Sequence, residues 1–216
     1  MSREKEFKDI KFREGFYWPE KDIKCWPWLQ EEKDLPNLIS NFCKNKRTVI
    51  EAGGNGGFYV KKYSDLFNKV ITFEPDDMNF KCLTLNMLNL GVNNVVKIQA
   101  CLGNEHKNVS ITTSIKNTGA YRIEQGVDGN IPTFLIDDLN STDCDLIHLD
   151  IEGFEYFALK GAEETIKKNK PVIAVEWMNH GEKYGCSDLM IEDYLKSLNY
   201  ELKQKIYHEA IFVYKT

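Results

Sequence analysis

From Thr48 onward, short apolar runs alternate with stretches in which apolar residues recur every three or four positions. Thr48-Val49-Ile50-Glu51-Ala52 reads as a strand, and Gly57 to Phe67 as the helix that follows it. Lys69 to Glu74 is a second strand, stopped by Pro75. The next helix has Asp76 and Asp77 in its first turn, Phe80, Leu83, Met87 and Leu90 as apolar positions, and Gly91 as its stop. Val95 to Ala100 makes a third strand. Residues 102–140 are rich in Asn, Thr, Ser and Gly and alternate only weakly, which predicts extra strands or loops. Asp145 to Asp150 is a fourth strand, followed by a helix with Phe154, Phe157, Ala158, Gly161, Ala162 and Ile166 on one face. Pro171 to Trp177 is a fifth strand, and a helix runs from about Asp188 to Leu198. Two last strands, Tyr200 to Tyr207 and Ala210 to Tyr214, flank a short turn at His208-Glu209.

Strands alternating with helices imply a parallel sheet covered on both faces. The last two strands are joined too tightly for a parallel crossover, so the final one is antiparallel. The expected fold is therefore α/β, a doubly wound Rossmann-like sheet, mostly parallel, with an antiparallel C-terminal hairpin. Residues 1–45 stand apart. They carry Trp18, Trp26, Trp28, Phe12, Phe16 and Tyr17 among Pro19, Pro27 and Pro36. They read as an irregular extension with one short helix from about Asp34 to Lys44. Their aromatics either pad the outside of the core or form a lid over a ligand site. Residues 46–216 form the main domain.

Composition narrows the class. A chain of 216 residues is long enough for one domain with a sizeable core. No apolar run approaches the roughly 20 residues of a membrane span. The charged N-terminus has no secretory h-region, so a cytoplasmic protein is expected. The net charge of −5 argues against a general nucleic-acid binder. Two basic runs, Lys44 to Arg47 and Lys167 to Lys170, fall where helices are expected to end, and there they complement the helix dipole. The cysteines Cys25, Cys43, Cys82, Cys101, Cys144 and Cys186 form no C-x-x-C and no zinc-finger spacing, and they read as reduced thiols.

Candidate chemistry begins at the turn after the first strand of the main domain, Glu51-Ala52-Gly53-Gly54-Asn55-Gly56-Gly57. Ligands of open α/β sheets bind at such strand ends. A dinucleotide G-x-G-x-x-G fits poorly: read from Gly54, its third position falls on Tyr59. A P-loop also fails, because no Gly-Lys-Ser/Thr closes the turn. The acidic-x-G-x-G-x-G pattern of S-adenosylmethionine (SAM) sites matches except at Asn55, a residue that tolerates left-handed backbone angles. Glu74 closes the second strand, where an acid can accept both ribose hydroxyls of an adenosine. As a surface group it would instead cap the next helix.

Taken together, these residues resemble the FkbM-type methyltransferases, whose class I sheet has the layout predicted above. The resemblance covers roughly Thr48 to Trp177. It is carried by the turn from Val49 to Gly57, Phe73-Glu74-Pro75, Asn79-Phe80, Leu85-Asn86, Ile136-Asp137-Asp138-Leu139, Leu149 to Glu155, Leu159 to Ala162 and the strand ending at Glu176. The family usually has Asp where this chain has Glu51, and often Lys where it has His148. The resemblance implies SAM as cofactor and a hydroxyl on a sugar or small metabolite as acceptor. It implies Glu51, Gly53, Asn55 and Gly57 at the methionine end, Glu74 with Pro75 and Asn79 at the adenosine, and Asp150 near the methyl.

Transfer to an alcohol needs a base, or a metal ion that acidifies the hydroxyl. Asp150 and Glu152 lie at the carboxyl end of the fourth strand. His148, two residues before Asp150, is a second candidate base or a support for Asp150, although mid-strand it reads more simply as a core histidine. Glu176 ends the neighbouring strand, and Asp150 with Glu176 would suit a divalent cation. No (D/N)-P-P-(Y/F) motif and no Pro-Cys occur, which sets aside nucleobase amino and cytosine C5 methylation. Two competing readings are an NAD-dependent or nucleotide-sugar enzyme of Rossmann type and a catalytically silent nucleoside-binding module.

Overall fold

The computed structural model describes residues 8–114, 116–124 and 129–215. Parts of the weakly alternating middle segment, residues 115 and 125–128, lie outside them.

Residues 8–45 hold more regular structure than their sequence predicts. Strands β1 (Ile10–Arg13) and β2 (Phe16–Pro19) pair as an antiparallel hairpin. Helices α1 (Cys25–Glu31) and α2 (Leu35–Ser40) follow in place of one helix to Lys44. Asp22, fully buried, organises this segment by accepting the Trp18 indole N–H at 2.9 Å and the backbone N–H groups of Cys25 and Trp26 at 3.1 and 3.0 Å. Burial alone would raise the Asp22 pKa, but these donors and the Thr118 N–H outweigh it and hold the carboxyl below its usual range. Trp18 is 0% exposed, so it belongs to the core and is not padding on its outside. The ring lies directly beneath the glycine turn: a Cβ on Gly56 would come within 2.4 Å of it. Asn86 completes the junction. Its side chain accepts the Tyr17 N–H at 2.6 Å and donates to the carbonyls of Tyr17 and Gly56.

The main domain follows the predicted alternation. It comprises β3 (Thr48–Ala52), α3 (Phe58–Leu66), β4 (Lys69–Phe73), α4 (Asp77–Asn89) and β5 (Val95–Ile98). After these come β6 (Cys101–Leu102), β7 (Asn108–Thr112), β8 (Arg122–Glu124) and β9 (Ile131–Phe134). The chain continues through β10 (Cys144–Leu149), α5 (Glu155–Lys160), α6 (Glu163–Asn169), β11 (Val172–Glu176), α7 (Asp188–Ser197), β12 (Tyr200–Ile206) and β13 (Glu209–Tyr214). The seven-stranded sheet has the order β12-β13-β11-β10-β3-β4-β5. Its strands are parallel except at β13, which runs antiparallel to both β11 and β12. β3 is buried along its whole length, which explains its nearly continuous apolar run.

One helix departs from its expected extent. The long helix after β10 is split into α5 and α6 at Gly161, because Asp137 intervenes. Its backbone N–H donates to the Gly161 carbonyl at 3.0 Å, and its carboxylate accepts the first N–H groups of α6, from Glu164 and Thr165. The middle segment folds as a separate four-stranded sheet of order β6-β9-β7-β8. The run Lys44 to Arg47 follows a helix that has already ended at Ser40, and Arg47 there pairs with Asp145 at 2.6 Å. Lys167 and Lys168 do fall in the last turn of α6. All six cysteines are free, and no helix among the described residues is long and apolar enough to cross a membrane.

Candidate active site

The glycine turn is shaped by contact with the strand beside it. Gly53 has φ +96°, and a Cβ there would lie 2.0 Å from the Asp150 carbonyl oxygen. Only glycine allows the ends of β3 and β10 to meet this closely. Asn55 sits in the left-handed region at φ +45°. Its backbone N–H donates to Glu74 Oε2 at 2.7 Å, while the other Glu74 oxygen accepts the Asp76 N–H at 2.8 Å. Glu74 is buried, and burial pushes its pKa up to about 8 despite those two donors. The next helix is capped by Asp76, which accepts from Met78 and Asn79, so Glu74 is not the surface cap that was the competing reading.

These groups line a cleft of roughly 850 Å³ including its open mouth, within the usual range for small-molecule sites. Gly53, Asn55, Glu74, Pro75, Asn79 and Asp150 all face it. Asn79 donates to the Thr118 carbonyl at 3.0 Å, and its own oxygen is buried without a hydrogen-bond partner. The Glu74 carboxyl group and the unpartnered Asn79 amide oxygen are acceptors that the hydroxyl and amino donors of a nucleoside would satisfy. Glu51 and Gly57 do not line the cleft. Glu51 lies behind the turn, beside His148 in the parallel register, and accepts the Thr72 hydroxyl. Burial pushes Glu51 up to about 7.

A second cleft, of roughly 580 Å³, adjoins the first. Asp150 lines both, as do Cys25 and Leu29 of α1 and Tyr59 of α3. The second cleft is lined also by Glu152, Glu176 and Glu209, by Trp28 of α1 and by Glu32, the residue after that helix. Burial, then the charges of Glu209, Glu152 and Glu155, hold the Asp150 carboxyl well above its ordinary range. Burial and Asp150 push Glu176 up to about 11. Glu155 serves the loop itself, accepting the Ile151 and Gly153 N–H groups at 2.9 and 3.1 Å.

His148 lines neither cleft. It is buried behind the site, with Nδ1 3.0 Å from the Tyr63 hydroxyl and Nε2 3.5 Å from Glu209 Oε1. Burial lowers its pKa, but the Glu209 carboxylate more than offsets this and the net direction is up. The pair expected to suit a cation, Asp150 with Glu176, is not the set that converges. Among the described residues, the ligand atoms lying within 4.8 Å of one another belong to Glu152, Glu176 and His180. His180 Nδ1 is 3.2 Å from a carboxylate oxygen of each glutamate.

Residues 43–202 match the family model for the methyltransferase FkbM domain. The chain belongs to the FkbM methyltransferase family. Its fold is similar to the structure of methyltransferase FkbM from Methylobacillus flagellatus KT, with a TM-score of 0.55 and 20% identity. That likeness covers 79% of this chain but only 44% of the other, so the present chain spans less than half of that protein's length. It is also similar to a SAM-dependent methyltransferase from Aquifex aeolicus (TM-score 0.52, 14% identity, covering 87% of this chain and 95% of that one). A third similar structure, SMU.1697c from Streptococcus mutans in complex with SAH, has a TM-score of 0.50 and 12% identity and covers 84% and 94% of the two chains. No curated protein matches the chain at a significant level.

The chain builds part of its clefts from residues that its sequence motifs do not mark. Thr118, Tyr121 and Arg122 reach the first cleft from the middle segment, and Cys25 and Leu29 from α1. Their segments alternate too weakly, or lie too far from the glycine turn in sequence, to point there. Glu209 was assigned to a turn, but it is the first residue of β13 and is buried. Only its position opposite Glu176, fixed by the strand register, brings it to the site.

Proposed function

We propose that the chain is a SAM-dependent O-methyltransferase acting on a hydroxyl of a sugar or small metabolite. The observation that carries this reading is that Asp150 lines both clefts, at the point where a cofactor in the first would meet an acceptor in the second. In the first cleft, Glu74 accepts the ribose hydroxyls, Asn79 and Pro75 flank the adenosine, and the backbone at Gly53 to Asn55 faces the methionine end. Glu51 acts on that end from behind the turn, through Thr72 and the strand register.

When bound, SAM supplies a methyl on a sulfonium, so the carbon–sulfur bond breaks with its electron pair on sulfur as the acceptor oxygen gains the methyl. The chain's own residues orient that acceptor and take its proton. Asp150 is the base. The raised Asp150 pKa favours holding a proton once it is transferred, and cationic charge arriving in the first cleft favours the ionised form that accepts it. Glu152 and Glu176 orient the acceptor. His148 acts only from behind, through Glu209. Helix α1, the part of residues 1–45 that faces both clefts, serves as their cover. A divalent cation, if the reaction uses one, would be held by Glu152, Glu176 and His180 and would acidify the hydroxyl. The free cysteines support a reducing, cytoplasmic setting.

Calorimetry with SAM, SAH and NAD tests the reading. Binding of SAM and SAH is expected, with methylated product from a hydroxyl acceptor detected by mass spectrometry. Tight NAD binding without SAM binding would sink it.

A further inference from the structure

Glu176 and Glu209 are direct register partners on the antiparallel strands β11 and β13. Two acids so placed repel when both are ionised, and a bound cation would relieve the pair. Both residues line the second cleft together with Glu152, Glu32 and Asp150; no lysine or arginine lines it, and its histidine, His208, lies 3.7 Å from Glu32. Glu209 is 5% exposed at its side chain, and its Oε2 is buried without a hydrogen-bond partner. Leaving a buried carboxylate oxygen bare is costly unless a ligand supplies the donor. The rings of Trp28 and Tyr59 line the same cleft. Carboxylates combined with aromatic faces are the chemistry that recognises an ammonium group.

A metal ion fits these observations less well. A cation such as magnesium gathers its ligands around one point at roughly 2 Å. The converging set, Glu152, Glu176 and His180, leaves out Glu209 with its bare oxygen and Glu32, both of which line the cleft. An ammonium group with three N–H donors can instead be met by carboxylates spread along a wall.

We propose that the second cleft is the acceptor site and that the acceptor is an ammonium-bearing alcohol, such as an amino sugar, an aminocyclitol or an amino alcohol. Its ammonium group is anchored by Glu209 and Glu176, which presents a hydroxyl to Asp150. This rests on the methyl-transfer reading above and adds the acceptor's charge to it.

The test titrates matched pairs, glucosamine against N-acetylglucosamine and 2-deoxystreptamine against its acetylated form, into the full chain with and without SAH. At least one ammonium compound is expected to bind about tenfold or more tightly than its neutral partner, as one charged hydrogen bond predicts. The preference should shrink to about twofold or less in Glu209→Gln, with SAH affinity retained. Glu176→Gln is the second variant should the first fail to fold. Equal binding of charged and neutral partners across the pairs overturns the proposal. So does manganese that binds the chelator-treated protein, survives Glu209→Gln and excludes the amines, because the carboxylates would then belong to a metal. Failure of SAH to bind instead removes the methyl-transfer reading, and the ammonium preference is still read from the arm without SAH.

Discussion

The backbone N–H of Asn55 donates to Glu74 at 2.7 Å, which joins the turn after β3 to the acid after β4 in one hydrogen-bonded unit. Glu74 therefore lines the first cleft with its position already fixed. Glu74→Ala is expected to weaken SAH binding by about 1–3 kcal/mol through lost charged hydrogen bonds. Isothermal calorimetry reads this directly, and an unchanged affinity would take Glu74 away from the ribose.

Asp150→Asn keeps the shape of the site but removes the proposed proton acceptor. Methyl-transfer turnover should fall about a hundredfold or more, the usual worth of a general base. SAH affinity should change far less. Equal losses in both would make Asp150 a binding group and not the base.

Gly53→Ala places a methyl 2.0 Å from the Asp150 carbonyl oxygen, on backbone that cannot shift cheaply. Gly91→Ala shares a positive φ but meets nothing within 4 Å. Gly91→Ala should cost about 1–2 kcal/mol from backbone strain alone, and Gly53→Ala distinctly more. Denaturant unfolding of the two variants side by side checks the order, and equal costs would mean that the two strand ends do not meet as closely as described.

The buried carboxylates set a pH dependence. Glu51 is pushed up to about 7 and Glu74 to about 8, from an ordinary 4.5. Between those limits the folded chain holds protons that the unfolded chain has released, so stability falls as pH rises. The contribution is complete below about pH 4.5 and lost through about pH 7 to 8. His148, also raised, has the same sign. The urea midpoint of the ligand-free protein should be lower at pH 8.5 than at pH 6, and a rising midpoint would contradict these shifts.

Trp18→Ala empties a fully buried site beneath Gly56 and strips Asp22 of a donor. The expected cost is about 3–5 kcal/mol. A loss below about 1 kcal/mol would mean that the N-terminal hairpin is an appendage and not part of the core.

The parallel sheet was legible because its strands are buried on both faces and its helices carry ordinary stop signals. β3 was read to the residue. The turn geometry at Asn55 was legible too, since few side chains other than asparagine sit easily at positive φ. The hairpin of residues 10–19 was not, because its hold on the fold comes from Trp18 and from Asn86, far along the chain. Glu51 stands apart from these. Its place in a motif suggested ligand contact, yet alternation along a strand turns it toward Thr72 and His148. The second cleft was legible only in part. Asp150, Glu152 and Glu176 stand at strand ends, whereas Glu209 and Trp28 reach it through pairing and packing that no local pattern records.

Tyr17 donates to Asn86 across 69 residues of chain. A growing polypeptide makes β2 early but has no Asn86 to offer it until α4 has been synthesised. β2 is therefore made before its partner but docks only after it, and Trp18 stays uncovered until the glycine turn above it has formed.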